Sequence, residues 1–296
     1  MSQKEFTLYR TLVFENHCNV LLTHHLNPWV KNQLFKKTFP CENENDKYIV
    51  YIESRENLLR FSVLNSLIMC RLKIKIIIYT LPSKLSSFTK LFEDLKEWVS
   101  IIPLGSLTNI NEEEYNNLLT SPEFWESIPS RKILFMQTDG LIIEPFEFSF
   151  FDYDYIGAPW CANKHFSTQV RNFSNDLIEE LYPIWETSRI FDTRFSLSFG
   201  NGGVSIRDTE IMKLICNSET RPKNVNEDIF FSHYLRKYSN KIPSLNMARK
   251  FACETNYSES ITTHASYKYL SASDQANIYE RHFCNLLGLI KASSRN

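Results

Sequence analysis

The acidic residue with the strongest chemical context in this chain is Asp139, which follows an apolar run at 132–136 and precedes Gly140. A carboxylate at the carboxyl end of a buried strand is where open α/β sheets commonly hold a ligand or a metal ion. Gln137 and Thr138 stand beside it. A plainer interpretation is open too, since Asp-Gly between two apolar runs is the signal of a type I′ hairpin. The two are compatible, because a metal-binding acid can lie on such a turn.

Other candidate residues lie later in the chain. Glu227 and Asp228 follow Asn226 at the start of a segment that predicts a helix to about Tyr238. Carboxylates in a first helical turn are commonly only partners of the helix dipole. His264, considered alone, is more often an ordinary half-buried histidine than a ligand.

Glycine is concentrated around these candidates. The chain has seven glycines, and five of them lie between Gly140 and Gly203. Three fall within residues 199–206, FGNGGVSI. Glycine allows a backbone to pass close to a ligand or to another strand. A tight start of a strand would explain the same residues equally well.

A sheet edge is needed to position these side chains, and the first regular part of the chain predicts one. Residues 48–53 and 73–80 form strand-like apolar runs, and 56–69 has apolar residues near helical spacing. This order predicts a right-handed βαβ unit whose binding edge lies at the strand carboxyl ends. No glycine-rich loop follows the first strand, which disfavours a dinucleotide or P-loop site. The polar residues at the predicted edge are Glu53, Arg55 and Thr80.

The remaining segments predict a continuation of the same α/β pattern. Asn111 and Glu114 form a capping box at a helix start, and Asp208 caps a helix that turns Ile211, Leu214 and Ile215 inward. Residues 161–195 predict an irregular excursion of the kind that often serves function. The N-terminal part gives mixed signals, with a strand or short helix at 6–14 and a polar linker at 41–47. Further helices are predicted at 86–99, 123–128, 175–188 and 275–290, and further strands at 100–104 and 132–136.

Composition excludes several classes of protein. Of 296 residues, 43% are hydrophobic and 23% charged, which is typical of a folded globular chain. The net charge of −1 provides no field that would attract nucleic acid. The seven cysteines form no CxxC pair, and no apolar run approaches the about 18 residues of a membrane span. We therefore expect no transmembrane segment, no nucleic-acid partner and a cytoplasmic location.

The order of the motifs carries more information than any one of them. The chain shows, in sequence, IESRENLLRFSVLN, EEYNNLLTSPEFW, LFMQTDGLI, DYIGAPW, FGNGGVSIR, NEDIFF, KFACETNY and THASYKYL. Together they closely resemble an uncharacterised glycosyltransferase-like domain family of the GT-A type. The resemblance defines a domain at 47–270, with an N-terminal extension at 1–46 and a C-terminal helix and tail at 271–296.

The resemblance implies an α/β fold: a GT-A-like single domain with a mostly parallel, Rossmann-like central sheet flanked by helices. It also implies a nucleotide-sugar donor, held through a divalent metal ion, Mn²⁺ or Mg²⁺, that suits carboxylate and phosphate oxygens. Asp139 and His264 match the metal-binding positions. Gln137 stands where the wider fold has the first acid of an Asp-x-Asp motif, a departure that leaves metal dependence in question, although an amide oxygen can still coordinate or bind ribose.

The same resemblance assigns the other roles. Asp228 is expected to be the general base for the acceptor hydroxyl in an inverting transfer, with Glu227 as the alternate. The expected donor-binding residues are Glu53, Arg55, Thr80, Gln137 and Thr138, and the expected cleft residues are Trp160, Asn201, Gly202 and Gly203.

The expected activity is that of a hexosyltransferase-like enzyme. The donor is expected to be a nucleotide-sugar, most simply a UDP-sugar, and the acceptor a glycan or another hydroxyl compound. Two alternatives stay open. One is a catalytically inactive module that binds nucleotide-sugar or glycan on the same fold, suggested by Gln137. The other is a nucleotidyltransferase, which is disfavoured because the chain lacks a glycine-rich basic loop after its first strand.

Overall fold

Nine strands are present in the computed structural model, which describes residues 3–32, 47–105, 107–160 and 200–293. The strands are β1 (Tyr48–Ile52), β2 (Lys75–Thr80), β3 (Val99–Pro103), β4 (Lys132–Met136), β5 (Gly140–Ile142), β6 (Tyr155–Gly157), β7 (Val204–Asp208), β8 (Ala252–Cys253) and β9 (Thr262–His264).

The central sheet contains six of these strands in the order β3-β2-β1-β4-β7-β6. Strands β3, β2, β1 and β4 are parallel, while β7 is antiparallel to both of its neighbours, so five strands share one direction. Strands β1, β2 and β4 consist almost wholly of buried residues because helices cover both faces of a parallel sheet, whereas in the edge strand β3 only Val99 is buried. The predicted α/β fold with a mostly parallel sheet is confirmed, as is the predicted βαβ unit at its start.

The helices connect and cover these strands. Both predicted helix caps are confirmed: the Asn111 side chain accepts a hydrogen bond from the Glu114 N–H, and Asp208 caps the helix after β7. The helices are α1 (Gln3–Leu21), α2 (Asn27–Lys31), α3 (Leu59–Met69), α4 (Leu85–Leu91), α5 (Glu112–Leu119), α6 (Pro122–Glu126), α7 (Thr209–Ser218), α8 (Glu227–Tyr238), α9 (Leu245–Phe251) and α10 (Ala272–Ser293).

Two helix predictions need correction. The helix predicted at 86–99 ends at Leu91, and a separate 3₁₀ turn follows at Glu93–Leu95 before β3 begins. In α7, Leu214 points outward with 44% of its surface exposed, and Met212 is buried beside Ile215 instead. Residues 212 and 215 are three apart and share a face, which places Leu214 on the solvent side of the helix.

A second, three-stranded sheet has the order β5-β9-β8. Strands β4 and β5 belong to different sheets, so the type I′ hairpin predicted at Asp139-Gly140 is wrong. Neither residue has a positive φ. Gly140 instead pairs across the second sheet with His264. The chain therefore leaves the central sheet at Gln137 and joins a strand that comes from the far end of the sequence.

The N-terminal residues form helix α1, which decides between the strand and the helix considered for 6–14. Helices α1 and α2 pack on the same core as α10: the His17 and Tyr279 rings stack at 4.5 Å, and Trp29 Nε1 donates to Ser293 Oγ at 2.7 Å. The linker predicted at 41–47 falls almost wholly outside the described residues. The excursion at 161–195 and its helix at 175–188 lie entirely outside them.

Two general findings complete the fold. Within the described parts of the chain, no helix combines the length and the apolar character that crossing a membrane requires. The five cysteines in those parts are all free thiols, and three of them are buried.

Candidate active site

The turn after β4 brings the two sheets together at one point. The Gln137 N–H donates to the Gly203 carbonyl at 2.8 Å, which extends the antiparallel β4–β7 pairing by one bond. The Gly140 N–H then donates back to the Gln137 carbonyl at 3.0 Å, so the chain turns sharply and enters β5. This turn holds Gln137 and Asp139 at the carboxyl end of the central strand, where ligands bind in open α/β sheets.

His264 lies opposite Asp139 because of the β5–β9 pairing. Its Nε2 is 3.2 Å from Asp139 Oδ1, and its Nδ1 donates to Glu254 Oε1 at 3.0 Å. Burial alone would lower the pKa of His264, but the charge of Asp139 and hydrogen bonds to Asp139 and Glu254 raise this pKa to about 10. The imidazole is therefore held as a cation between two carboxylates.

Lys268 is a second cation on Asp139, with its Nζ donating to Oδ2 at 3.1 Å. Burial would raise the pKa of Asp139, but the charges and hydrogen bonds of His264 and Lys268 hold it well below its ordinary value. Asp139 thus stays ionised. The sequence prediction that Asp139 and His264 lie in one site agrees with this geometry.

Gln137 completes the group. Its side-chain carbonyl Oε1 is 3.0 Å from His264 Nε2, and its amide Nε2 donates to the Tyr115 hydroxyl at 3.0 Å. The bond to Tyr115 fixes the amide orientation, so an oxygen faces the histidine. An amide oxygen, a carboxylate oxygen and an imidazole nitrogen therefore converge.

These three atoms meet only part of the ligand requirement of a hard divalent ion. Ligands about 2.1 Å from an octahedral ion lie about 3.0 Å from each other, close to the separations that Gln137 and Asp139 have from His264 Nε2. Glu254 is the kind of partner that fixes the tautomer of a metal-binding histidine. Among the described residues, however, no group of three His, Cys, Asp or Glu side chains could hold a metal. An ion here would depend on Gln137 and on ligand oxygens, and it would have to displace the Nε2 proton.

Asp228 is positioned by the glycine-rich loop before β7. The Gly202 N–H donates to Asp228 Oδ2 at 3.1 Å, and the Ile229 N–H donates to Oδ1 at 2.8 Å. The carboxylate is half-buried and has no direct cationic partner among the described residues. Burial and the neighbouring charge of Glu227 raise the pKa of Asp228 from 3.8 to about 7. A carboxylate with such a pKa is suited to proton transfer near neutral pH.

Glu227 has a different environment from its neighbour. Arg207, whose side chain is fully buried, forms two hydrogen bonds with it: Nη1 donates to Oε2 at 2.7 Å and Nη2 to Oε1 at 3.0 Å. Burial alone would lower the pKa of Arg207, but the Glu227 carboxylate raises it, so the guanidinium stays charged. Because both oxygens of Glu227 are engaged by Arg207, Asp228 is the carboxylate that is free to exchange a proton.

Two adjoining clefts contain most of these side chains. The main cleft has a volume of about 350 Å³. A second cavity of about 390 Å³, the strand-1 cleft, begins at the carboxyl end of β1. Glu112, Tyr115 and Gln137 line both, so the two clefts meet at these residues. The main cleft is lined by, among others, Trp160, Asn201, Gly202, Gly203, Asp228 and His264, and the strand-1 cleft by Glu53, Ser54, Arg55 and Asn111.

The predicted donor-binding residues differ in whether their side chains reach a cleft and are available to a ligand. Arg55 lines the strand-1 cleft with 74% of its side chain exposed. Glu53 lines it as well, but its carboxylate is occupied, accepting hydrogen bonds from Arg55 and, at 3.1 Å, from the Thr138 hydroxyl. Thr80 is fully buried at the end of β2 and lines neither cleft. Glu53 and Thr138 therefore hold the cleft wall together, and Thr80 is part of the core.

Several site residues were not identified from the sequence. Glu254 follows β8, and because β8 pairs in parallel with β9, it comes to lie beside His264. Its only signal in the sequence was its place within the quoted motif KFACETNY. Tyr115, Lys268 and Arg207 were each visible within the quoted motifs, but their partners depend on contacts that are distant in sequence.

Gly203 shows why the loop requires glycine at this position. A Cβ built there would overlap the His264 imidazole. Gly203→Ala is expected to lower the free energy of unfolding by about 1–3 kcal/mol, as overpacking does, and to displace the ring. Chemical denaturation would measure the change. Gly288→Ala is the control, since a Cβ there meets nothing within 4 Å. Equal stability of the Gly203→Ala and wild-type chains would show that the loop does not confine the imidazole.

Comparison with known proteins adds one family. A family model described as a protein of unknown function (DUF5672) matches residues 100–268, more than half of the chain. No curated protein matches the chain. The matched range contains Gln137, Asp139, Asp228 and His264, whereas Glu53 and Arg55 precede it. The chain is thus a member of the DUF5672 family.

Proposed function

We propose that this chain is a metal-dependent glycosyltransferase, which moves a sugar from a nucleotide-sugar to an acceptor hydroxyl. The observation that carries the proposal is the convergence of Gln137, Asp139 and His264 at the end of β4, with Asp228 lining the same cleft as His264. A group that can hold a diphosphate and a carboxylate that can take a proton are the two parts such a reaction needs.

The adjoining clefts suggest how the donor would bind. The nucleoside of a UDP-sugar would occupy the strand-1 cleft, where Arg55 offers an exposed cation. The sugar would extend past Tyr115 and Gln137 into the main cleft, since these two residues line both cavities. The diphosphate would then lie at the junction, close to the group formed by Gln137, Asp139 and His264.

Asp139, His264 and Gln137 would hold Mn²⁺ or Mg²⁺ together with the donor diphosphate. When bound, such an ion neutralises the charge that develops on the departing diphosphate. The residues of the chain have their own parts in this arrangement. Glu254 orients His264 by accepting from Nδ1, and Tyr115 orients Gln137. Lys268 adds a second positive charge beside Asp139.

Asp228 would act as the general base. Its carboxylate accepts the proton of the acceptor hydroxyl as the acceptor oxygen forms its bond to the anomeric carbon. The bond between that carbon and the diphosphate oxygen breaks at the same time, and the electron pair leaves with the nucleoside diphosphate. A direct displacement of this kind inverts the configuration at the anomeric carbon. Glu227, paired with Arg207, would position Asp228 through the adjacent backbone.

Asp139→Asn tests the enzymatic proposal. Transfer, or hydrolysis of the donor in the absence of acceptor, is expected to fall by roughly a hundredfold or more because the charge that binds the ion is lost. The Tm is expected to fall as well, because the amide keeps the shape of the side chain but loses its ion pairs with His264 and Lys268, so both chains are assayed at a temperature where they are folded. Coupled detection of released nucleoside diphosphate measures the rate. Asp152→Asn, at an exposed carboxylate, is the control. Undiminished turnover in the Asp139 variant would contradict the proposal.

A second candidate is a catalytically inactive module that binds nucleotide-sugar or glycan. One observation favours it: His264 and Lys268 already neutralise Asp139, which an ion would otherwise do. This candidate predicts donor binding that does not require Mn²⁺ and no release of nucleoside diphosphate with any acceptor. We also propose a cytoplasmic location, where the free cysteines of the described chain would stay reduced.

A further inference from the structure

The ionisable side chains that line the main cleft are mostly acidic, which is unusual for a site beside the proposed position of a diphosphate. Of the described residues that line it, four are carboxylates and one, His264, is a base. Two of the carboxylates are already paired: Glu227 with Arg207 and Glu254 with His264. Among the described residues that line the cleft, the only cation is His264, which two carboxylates already neutralise, so none is left for an incoming anion.

Two carboxylates are left to face a ligand. Asp228 accepts only backbone N–H groups, from Gly202 and Ile229. Glu112, in the first turn of α5, has no ion-pair or hydrogen-bond partner among the described residues, although its neighbours do: Glu113 pairs with Arg221, and Glu114 completes the capping box with Asn111. Of these three adjacent glutamates, only Glu112 lines the cleft.

The rest of the lining combines aromatic and amide side chains. Trp160 and Tyr269 present rings, and Asn116 and Asn226 present amides. Aromatic rings offer an apolar face with a polar tip, which suits the C–H faces of a sugar ring. Amides and carboxylates can bond hydroxyl groups, with carboxylates accepting and amides both donating and accepting. This combination fits a polyhydroxylated, uncharged molecule.

We propose that the main cleft binds a neutral saccharide as the acceptor and excludes acidic saccharides. Glu112 is the specificity-determining residue, because its unpaired charge repels a carboxylate on the saccharide. The donor diphosphate at the same junction would carry the divalent ion, which offsets this repulsion. That this saccharide is the acceptor rests on the proposed glycosyltransferase function. The binding preference itself does not, since it can be measured without donor or turnover.

The test uses matched methyl glycosides of glucose, galactose and mannose and of the corresponding uronic acids, which differ only by a carboxylate in place of a hydroxymethyl group. Saturation-transfer NMR titrations on the full chain would give the Kd of each. We expect the neutral member of at least one pair to bind, and its uronate to bind roughly tenfold or more weakly, as like charges at close range require. Glu112→Gln should reduce this ratio severalfold, whereas Glu113→Gln, on the same helical turn, should leave it unchanged.

Three results would overturn the proposal. One is a uronate that binds as tightly as its neutral partner, and another is a ratio that Glu112→Gln does not change. The third is no binding of any saccharide under conditions in which uridine diphosphate binds. This last result would remove the saccharide site while leaving the donor site intact. Loss of turnover in Asp139→Asn with an intact saccharide preference would, in contrast, support both proposals.

Discussion

Asp228→Asn is expected to lower the rate of sugar transfer by roughly a hundredfold to ten-thousandfold, the usual contribution of a general base. The carboxylate must be ionised to accept the proton of the acceptor. Because burial and Glu227 raise the pKa of Asp228 to about 7, the wild-type rate should rise with pH and level off above about pH 7. In the variant this rise should disappear. Initial rates measured across the pH range, at saturating donor, would show both effects.

The stability of the wild type should have the opposite pH dependence from the rate. A carboxyl whose pKa is higher in the folded chain than in the unfolded chain binds protons more readily when folded. The contribution of Asp228 to stability is therefore greatest at low pH and falls as the pH rises from about 4 to about 7. Above that window Asp228→Asn should unfold at a higher temperature than the wild type. Glu210→Gln, in the first turn of α7, is the matched control and should alter neither the rate nor its pH dependence. A variant that retains the pH-dependent rise would exclude Asp228 as the base.

Arg207→Met is expected to destabilise the fold by about 3–5 kcal/mol, because it leaves the buried carboxylate of Glu227 without its partner. The guanidinium lies 4.9 Å from the Phe135 ring centroid and 5.1 Å from that of Tyr155. A methionine side chain packs well among aromatic rings and needs no hydrogen-bond partner there. The loss thus reports mainly on the uncompensated charge. Denaturant-induced unfolding near neutral pH would measure it.

The double variant Arg207→Met, Glu227→Gln separates charge from packing. Removing both charges should recover most of the stability that Arg207→Met loses, since a buried ion pair can often be replaced at little cost. If Glu227 positions Asp228, the double variant should fold and still transfer sugar more slowly than the wild type, with its pH profile shifted. If Arg207→Met alone were as stable as the wild type, the ion pair would not hold α8 against the glycine-rich loop before β7.

Local sequence patterns were sufficient to predict the four parallel strands β1 to β4 of the central sheet and its first connection. The apolar runs at 48–53, 73–80 and 132–136 identify strands because a strand buried on both faces must be continuously apolar. The Asn111 capping box marks a helix start, since its hydrogen bonds join residues only three apart. The failure at Asp139-Gly140 has the opposite cause. Whether two adjacent strands pair with each other depends on other strands that compete for them.

The candidate site shows the same limit more clearly. Asp139 and His264 were placed in one site by resemblance, and the structure supplies the physical reason, the register of Gly140 with His264. Glu254 was missed because its role depends on the parallel pairing of β8 with β9. Thr80 was placed at the edge by the end of its strand, but its side chain points into the core. Strand ends predict where a site lies, and only register and side-chain direction determine which residues reach it.

The central proposal is that Asp139 and His264 bind a divalent ion together with a nucleoside diphosphate. Calorimetric titration of uridine diphosphate, and then guanosine diphosphate, with and without Mn²⁺, tests it most directly in the wild type and in Asp139→Ala. The proposal predicts binding of one nucleotide that requires Mn²⁺ and is lost in the variant. Binding that is independent of Mn²⁺ and unchanged by Asp139→Ala would contradict it, as would the absence of binding by either nucleotide.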